Sequence, residues 1–522
     1  MIRVPRRCRM TDFRLVGRAF LIVGCLSGIA HAQRIAPLPP PCSVGGADTS
    51  RIKPRPPRRP ASLAVLSLSV GAGAASYAFL SDGLTDAIAA RIGGGIPGIF
   101  VLGRRAQHRR PGTTASVMRT LGADLGVSYI LAGSLSRGRT NLQIALALYD
   151  ATTGRPTWTR TFYYDSSGAL PIEQATAIEV GSRMVGVFTP AEQQALLRVP
   201  SARHVAYEEM LRGDVAASEL ARSLAGDAYR RALKIDPNFA DASAKLALTD
   251  ADALDENDVE SPADAKRLAN EVQSAAERAV ALDSTSATAW LAEARAWLLG
   301  GTPPAVWSRA FDRSIARDST NAAVVAAYGL ALAQSNERTR ARPALERATT
   351  LDPSRADVWT TLAEIAAAER RDGDACSLLN RAILEDALYG PAWAARALLR
   401  GRHDDLRFAW ADAETADRLG STLLGQSAAA QIDLTARDTV RARERLAILW
   451  QDVRDRKSVS AHEGRAVAVA LMAAGENSRA LDVLEAVRPL GPRYTASLRD
   501  SSFDRLRNEP RFRALVSNRM RS

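Results

Sequence analysis

The residues of this chain best suited to chemistry are five histidines, at 31, 108, 204, 403 and 462, and four cysteines, at 8, 25, 42 and 376. A helical zinc site needs a second ligand one turn away, as in H-E-x-x-H, and no histidine here has such a neighbour. No cysteine pair has metal-ligand spacing, and no disulfide framework is readable from the four. Once a leader is removed, Cys42 and Cys376 remain, one in a linker and one inside a predicted helix, and no bridge between them is expected. The glycine-rich stretches carry little more. Gly93-Gly94-Gly95-Ile96-Pro97-Gly98 satisfies G-x-G-x-x-G, but it follows a helix and precedes a strand, the reverse of a dinucleotide site, and reads as a helix stop. Gly71-Ala72-Gly73-Ala74-Ala75-Ser76 has the right setting but lacks the third glycine. Arg104 and Arg105 stand where an acidic ribose ligand would be needed. Asp82 and Asp86 share a helix face, and in an exposed first turn they complement the helix dipole. A G-x-S-x-G elbow and a P-loop lysine are both lacking. The expectation is a protein that is not an enzyme, with no metal and no cofactor.

At 522 residues the chain is too long for one core. Its net charge of +12 invites a nucleic-acid reading, but residues 1–60 supply twelve basic side chains against Asp12 and Asp48. The remainder is almost neutral, so no nucleic-acid partner is expected. Arg14 and Arg18 precede an apolar run from Ala19 to Ala30, followed by Ala30-His31-Ala32, which is the pattern of a secretory signal peptide over 1–32. The run is too short to span a bilayer. Two outcomes stay open: cleavage before Gln33, or acylation of Cys25 within Ile22-Val23-Gly24-Cys25. Both place the protein in the periplasm or cell envelope. Residues 33–60 are rich in proline and arginine and read as an extended linker, whose Arg51 to Arg59 cluster could touch an anionic lipid surface.

The elements over 61–195 form an α/β pattern. Ala61 to Ser69 and Ile99 to Leu102 are strand candidates, with a helix from about Tyr77 to Ile92 between them. A helix over Thr114 to Leu125 leads to three further strands, at 129–131, 142–148 and 157–164. Gly138 and Thr153-Gly154 mark tight turns, and a helix follows at about 171–187. This order describes a mixed sheet with helices against it.

From residue 200 the pattern becomes helical and periodic. Asp236, Asp283, Asp318, Asp352 and Asp386 end similar phrases, at spacings of 47, 35, 34 and 34. Trp290, Trp359 and Trp393 stand seven residues past the aspartate. A small residue stands eleven past it (Ala247, Ala294, Gly329, Ala363, Ala397), and Ala232, Ala279, Ala348 and Ala382 stand four before it. Small residues at fixed offsets let paired helices approach closely. This pattern resembles the tetratricopeptide repeat over 200–490, clearest over 284–400, with an acidic insertion at 250–264 accounting for the long spacing. The fold class is therefore an α/β mixed-sheet amino-terminal domain followed by an all-α superhelical solenoid.

Three motifs ahead of the repeats carry a second resemblance. Phe79-Leu80-Ser81-Asp82-Gly83-Leu84-Thr85-Asp86, the stretch Leu121 to Ser134, and Asp150-Ala151-Thr152-Thr153-Gly154-Arg155-Pro156-Thr157-Trp158 are similar to segments of the TolB-like amino-terminal domain. The chain differs from that family at Ser67-Leu68, where Pro-Phe is usual, and in the loop Gly71 to Ala75. In the family this domain commonly precedes tetratricopeptide repeats and often follows a winged-helix, cyclase or kinase domain. With 60 residues ahead of the domain, no such effector is expected on this chain. Phe503 to Phe512 resembles the family's terminal cap, over 491–522.

Tetratricopeptide repeats line a groove with their first helices. The register predicts a partner-binding groove at Thr288, Leu291, Arg295, Asp357, Thr360 and Glu364, joined by Ala326, Leu330, Ala394 and Leu398. It lacks the lysine–asparagine clamp that some relatives use for a terminal carboxylate, and its mostly apolar lining suits a helix or extended segment of a protein. The other reading is that some of these side chains only fill the superhelix. Two functions follow: an exported scaffold gripping a protein partner, or the detached sensory half of a signalling system with a separate kinase or cyclase.

Overall fold

The computed structural model describes residues 40–43, 61–71, 73–102, 112–138, 141–164, 168–218, 221–255, 262–456, 459–487 and 498–517. The leader, most of the linker including Arg51 to Arg59, and Arg104 and Arg105 lie outside them, as do His31, His108 and the first part of the cap.

The amino-terminal unit is built from β1 (Ser62–Val65), β2 (Ser69–Val70), α1 (Ala78–Gly95), β3 (Phe100–Leu102), α2 (Ala115–Leu125), β4 (Tyr129–Arg137), β5 (Leu142–Asp150), β6 (Pro156–Tyr164), α3 (Leu170–Val185) and α4 (Pro190–Leu196). Its sheet runs β3-β1-β4-β5-β6, with β2 beside the far end of β4. β1 is parallel to β3 and β4, while β4, β5 and β6 are antiparallel. The two parallel pairings need crossovers, which α1 and α2 supply. Alternation along β1 divides the core: Leu63 and Val65 join α1 and α3 on one face, Ala64 and Leu66 join Met118 of α2 on the other. The single strand expected over 61–69 is interrupted, because the chain leaves β1 before pairing again at Ser69.

The glycine run does not stop α1 as expected. Gly93, Gly94 and Gly95 form its last turn, and Ile96 N still donates to Ile92 O at 3.0 Å. Close packing against this turn outweighs the helix cost of glycine. A Cβ on Gly95 would lie 3.1 Å from Leu196, and Thr320 Oγ1 of the repeat array donates to Gly93 O at 3.1 Å. The turn at Asp150 also has a clear cause. Asp150 Oδ1 accepts from the amides of Thr152 and Thr153, and Gly154 adopts φ 69° with its Cα against Ala115 O, where a Cβ would meet that oxygen at 2.0 Å.

Eight helix hairpins follow among the described residues: α5 (His204–Ser218) with α6 (Arg222–Ile235), α7 (Ala240–Asp255) with α8 (Pro262–Leu282), α9 (Ala287–Leu299) with α10 (Pro304–Arg317), α11 (Ala322–Gln334) with α12 (Arg338–Leu351), α13 (Ala356–Ala368) with α14 (Asp372–Glu385), α15 (Gly390–Arg402) with α16 (Leu406–Arg418), α17 (Thr422–Thr435) with α18 (Thr439–Asp455), and α19 (Ala461–Ala473) with α20 (Asn477–Ala486). The periodic aspartates have one shared task. Asp236, Asp283, Asp318, Asp352 and Asp386 each accept, through Oδ1, the amide two residues on, at 2.9–3.2 Å. Each closes the turn from one hairpin to the next. Trp290, Trp359 and Trp393 reinforce three of these turns, donating Nε1 to the carbonyl six residues earlier at 2.7–3.0 Å. The small residues at the paired offsets are buried between helices. The turns inside the hairpins reach the left-handed region at Gly301, Asn336, Arg370, Asp404, Arg437 and Gly475.

The first hairpin is not separate from the sheet. One core runs from β1, α1 and α3 into Tyr207, Met210 and Leu211 of α5 and Tyr229 of α6. At the other end, a 3-10 turn (Ser501–Leu506) and α21 (Pro510–Ser517) cover the last hairpin, with Phe503 stacked on Phe512 at 6.0 Å.

The cysteine expectation is overturned. Cys42 and Cys376 are disulfide-bonded, with Cα atoms 5.7 Å apart across 334 residues of sequence. The first half of the linker is held against α14 by hydrogen bonds between the Cys42 main chain and the Asn380 side chain, which sequence spacing does not reveal.

Candidate functional site

The predicted groove residues divide when their surroundings are followed. Thr360 is buried, and its hydroxyl donates to Ala356 O at 2.8 Å, within its own helix. Arg295 places Nη2 between Asp252 and Asp255, both at 2.7 Å. Burial lowers its pKa, but the two carboxylates outweigh that and hold it above the ordinary arginine value. Asp357 is paired with Arg355, Nε to Oδ1 at 2.8 Å and Nη2 to Oδ2 at 2.5 Å. Burial raises the Asp357 carboxyl, and the Arg355 hydrogen bonds and charge override this to leave it below the usual carboxylate value. Leu291 packs against the core of the third and fourth hairpins, and Thr288 is half-buried. Ala326 and Ala394 are buried and Leu330 and Leu398 partly so, whereas Glu364 is exposed. Thr360 Oγ1, Arg295 Nη2 and the Asp357 carboxylate are thus engaged within the fold, while Glu364 faces solvent.

A pocket of about 300 Å³ lies elsewhere, between α12, α13 and α14. Trp359, Leu362 and Leu378 form its apolar part, and Arg342, Glu346, Arg371 and Asp374 give it a charged rim. Arg342 and Arg371 both pair with Glu369, and Arg371 also reaches Asp374 at 2.6 Å.

Two buried ionic networks went unpredicted. At the junction of sheet and repeats, Arg91 of α1 donates Nε to Glu173 Oε1 of α3 at 2.5 Å and Nη1 to the carbonyls of Leu196 and Arg198, both at 2.9 Å. Tyr207 of α5 donates its hydroxyl to the other Glu173 oxygen. Burial, and then the Glu173 charge, push the Tyr207 pKa well up, so it stays a donor. In the middle of the array, Arg396 of α15 grips Asp412 of α16 with Nε and Nη2, both at 2.8 Å, and Arg400 adds Nη1 at 2.9 Å. These side chains are 0–2 % exposed. Arg396 Nη1 also donates to Asn380 Oδ1 at 3.0 Å. Burial raises Asp412 and lowers Arg400 from their ordinary values, which makes the mutual pairing essential to both. A partial signal existed for this network: Arg396 stands ten residues past its repeat aspartate, where the other repeats have Leu246, Glu293, Tyr328 and Leu362.

Among the described residues no group of three or more histidine, cysteine, aspartate or glutamate side chains could hold a metal ion. Of the described histidines, His403 pairs with Asp372 at 2.7 Å. No described helix is long and apolar enough to cross a membrane.

No protein-family model matches the chain. Its sequence is 27% identical over 203 residues to a Rhizobium meliloti (strain 1021) protein named "Putative adenylate cyclase 3". That match covers 37% of this chain, and the chain spans about a third (34%) of the relative's length. Among solved structures, PilF of Pseudomonas aeruginosa is 19% identical, with 42% of this chain and 93% of that one covered at a TM-score of 0.34. Yeast Tom70 is 13% identical, with 66% and 80% covered at 0.37. These global scores are low, and the repeat assignment rests on the hairpins themselves.

Proposed function

We propose that the chain is a non-enzymatic scaffold exported to the bacterial cell envelope, with a TolB-like amino-terminal domain and a tetratricopeptide array that holds a protein partner. The observation that carries the binding role is the array of eight hairpins, with an apolar, charge-rimmed pocket between α12, α13 and α14. A pocket of this size takes one large side chain of a docked segment, with the rim fixing its orientation. Of the predicted groove residues, Thr288, Leu291 and Glu364 remain candidates for contact, while Arg295, Asp357 and Thr360 keep the helices in place. The leader supports export, and the Cys42–Cys376 bridge suits an oxidising compartment.

The test is tagged full-length protein recovered from the envelope fraction, with its partner identified by crosslinking. Leu378→Asp in the pocket and Glu364→Lys on the exposed face of α13 should each lower recovery of that partner. Equal recovery with both variants would remove the array from the binding role. A mature amino terminus at Gln33, or a lipid on Cys25, is the outcome expected of export, and an intact leader in the cytoplasm would overturn it.

A second reading is favoured by the match to the Rhizobium meliloti protein. On it, the chain is a regulatory part acting with a separate cyclase or kinase. Crosslinking separates the two, because the partner is then a signalling enzyme whose activity changes when this chain is added.

A further inference from the structure

The middle of the array carries a site for main chain, and it is occupied by the chain itself. Cys42 N donates to Asn380 Oδ1, and Asn380 Nδ2 donates to Cys42 O, both at 2.8 Å. A carboxamide that takes both the N–H and the C=O of one residue recognises an extended backbone and not a side chain. Asn380 is 5% exposed and cannot turn over, because Oδ1 also accepts from Arg396, which Asp412 holds with two hydrogen bonds. Around it, Ala363, Ala366, Ala375, Leu379 and Leu399 form an apolar floor into which Cys42 is inserted, while Pro40, Pro41 and Ser43 stay exposed. Without the segment, both polar atoms of a nearly buried amide would lose their main-chain partner and the floor would open to water.

We propose that residues 41–43 are an intramolecular strap. Asn380, oriented by the Arg396–Asp412–Arg400 network, captures the Cys42 main chain and brings its thiol onto Cys376, and the bridge then closes this part of the array to outside partners. The Cα separation of 5.7 Å is one at which a bridge forms without backbone movement. The chemistry needs a disulfide donor such as oxidised glutathione. One thiolate attacks it and releases one glutathione, and the second attacks the mixed disulfide and releases the other. Two electrons and two protons pass from the protein to glutathione.

The strap is testable in vitro on reduced full-length protein placed in a glutathione redox buffer, with the linked peptides mapped without reduction. The expected result is a single protein pair, Cys42 with Cys376. Asn380→Asp keeps the contact to Arg396 but faces Cys42 O with an acceptor, so the ratio of bridged to open protein should fall about tenfold. Asn380→Ala should do the same, with helicity and thermal melting recorded to separate clamp loss from unfolding. In the Cys42→Ser, Cys376→Ser double variant, slow hydrogen exchange at the residue 42 amide should persist. Pairing of Cys42 with Cys8 or Cys25, or an unchanged bridging ratio in folded Asn380→Asp, would overturn the strap. A bridge that forms in vitro while both thiols stay free in cells leaves the strap standing and removes the export reading instead.

Discussion

The junction between sheet and repeats and the middle of the array both bury an arginine–carboxylate network, and the two end differently. At the junction, Arg91 reaches Glu173 and two helix-end carbonyls, Tyr207 supplies the remaining donor, and every partner belongs to elements that pack on one another. In the middle, the line from Arg400 through Asp412 and Arg396 ends on Asn380, whose amide is completed by a segment from outside the helices. A network closed among packed elements cements a fold. One that ends on foreign main chain can hold something.

The contrast is broken most severely by Asp412→Ala. It strands two buried guanidinium groups and should cost about 3–5 kcal/mol in urea denaturation, with loss of the linked Cys42 peptide. Tyr207→Phe at the junction removes one hydrogen bond to a buried carboxylate. It should cost about 1.5–3 kcal/mol and leave bridging unchanged, because the two networks share no residue. Arg437→Gly should work in the other direction. Arg437 is exposed at φ 62°, a conformation unfavourable to a bulky side chain, and relief should add about 1 kcal/mol, read as a raised Tm. The smallest effect is an acid dependence. Asp283 and Asp357 lie below their ordinary value of 3.8: for each, burial raises the pKa, but Thr285 and Arg198 outweigh it at Asp283, and Arg355 does so at Asp357. A carboxylate lowered in the folded state stabilises above that value, and the contribution is lost as pH falls through the folded pKa. Asp357→Asn should therefore lower stability near neutrality, where the paired carboxylate contributes, and flatten part of the stability loss seen below about pH 3.8.

The repeat architecture was legible because its signals are local. An aspartate that closes a turn with the amide two residues on must recur wherever the turn recurs, and the alanines between helices must recur with it. The sheet was legible from its apolar runs, the alternation over 142–148 and its turn residues, but not the break after β1 or the division of β1 between two cores. The candidate site was less so. Arg295, Asp357 and Thr360 sit at the expected register, yet their polar atoms are engaged by Asp252 and Asp255, Arg355 and Ala356, and no offset within a repeat encodes those partners. Arg396 offered a partial clue, an arginine at a position where two other repeats place leucine and two place Glu293 and Tyr328. The strap offered none, since its contact joins residues 338 apart through backbone atoms.

Thr320 fastened to Gly93, Arg338 to Asp500 and Cys376 to Cys42 all fall within residues 318–380. Repeat superhelices in which each unit touches only its neighbours extend and recoil as springs. Here the sheet, the carboxy-terminal cap and the leader-side segment are all moored to one short stretch of the coil. That stretch is therefore tied to parts of the chain far from it in sequence, and not only to the hairpins on either side.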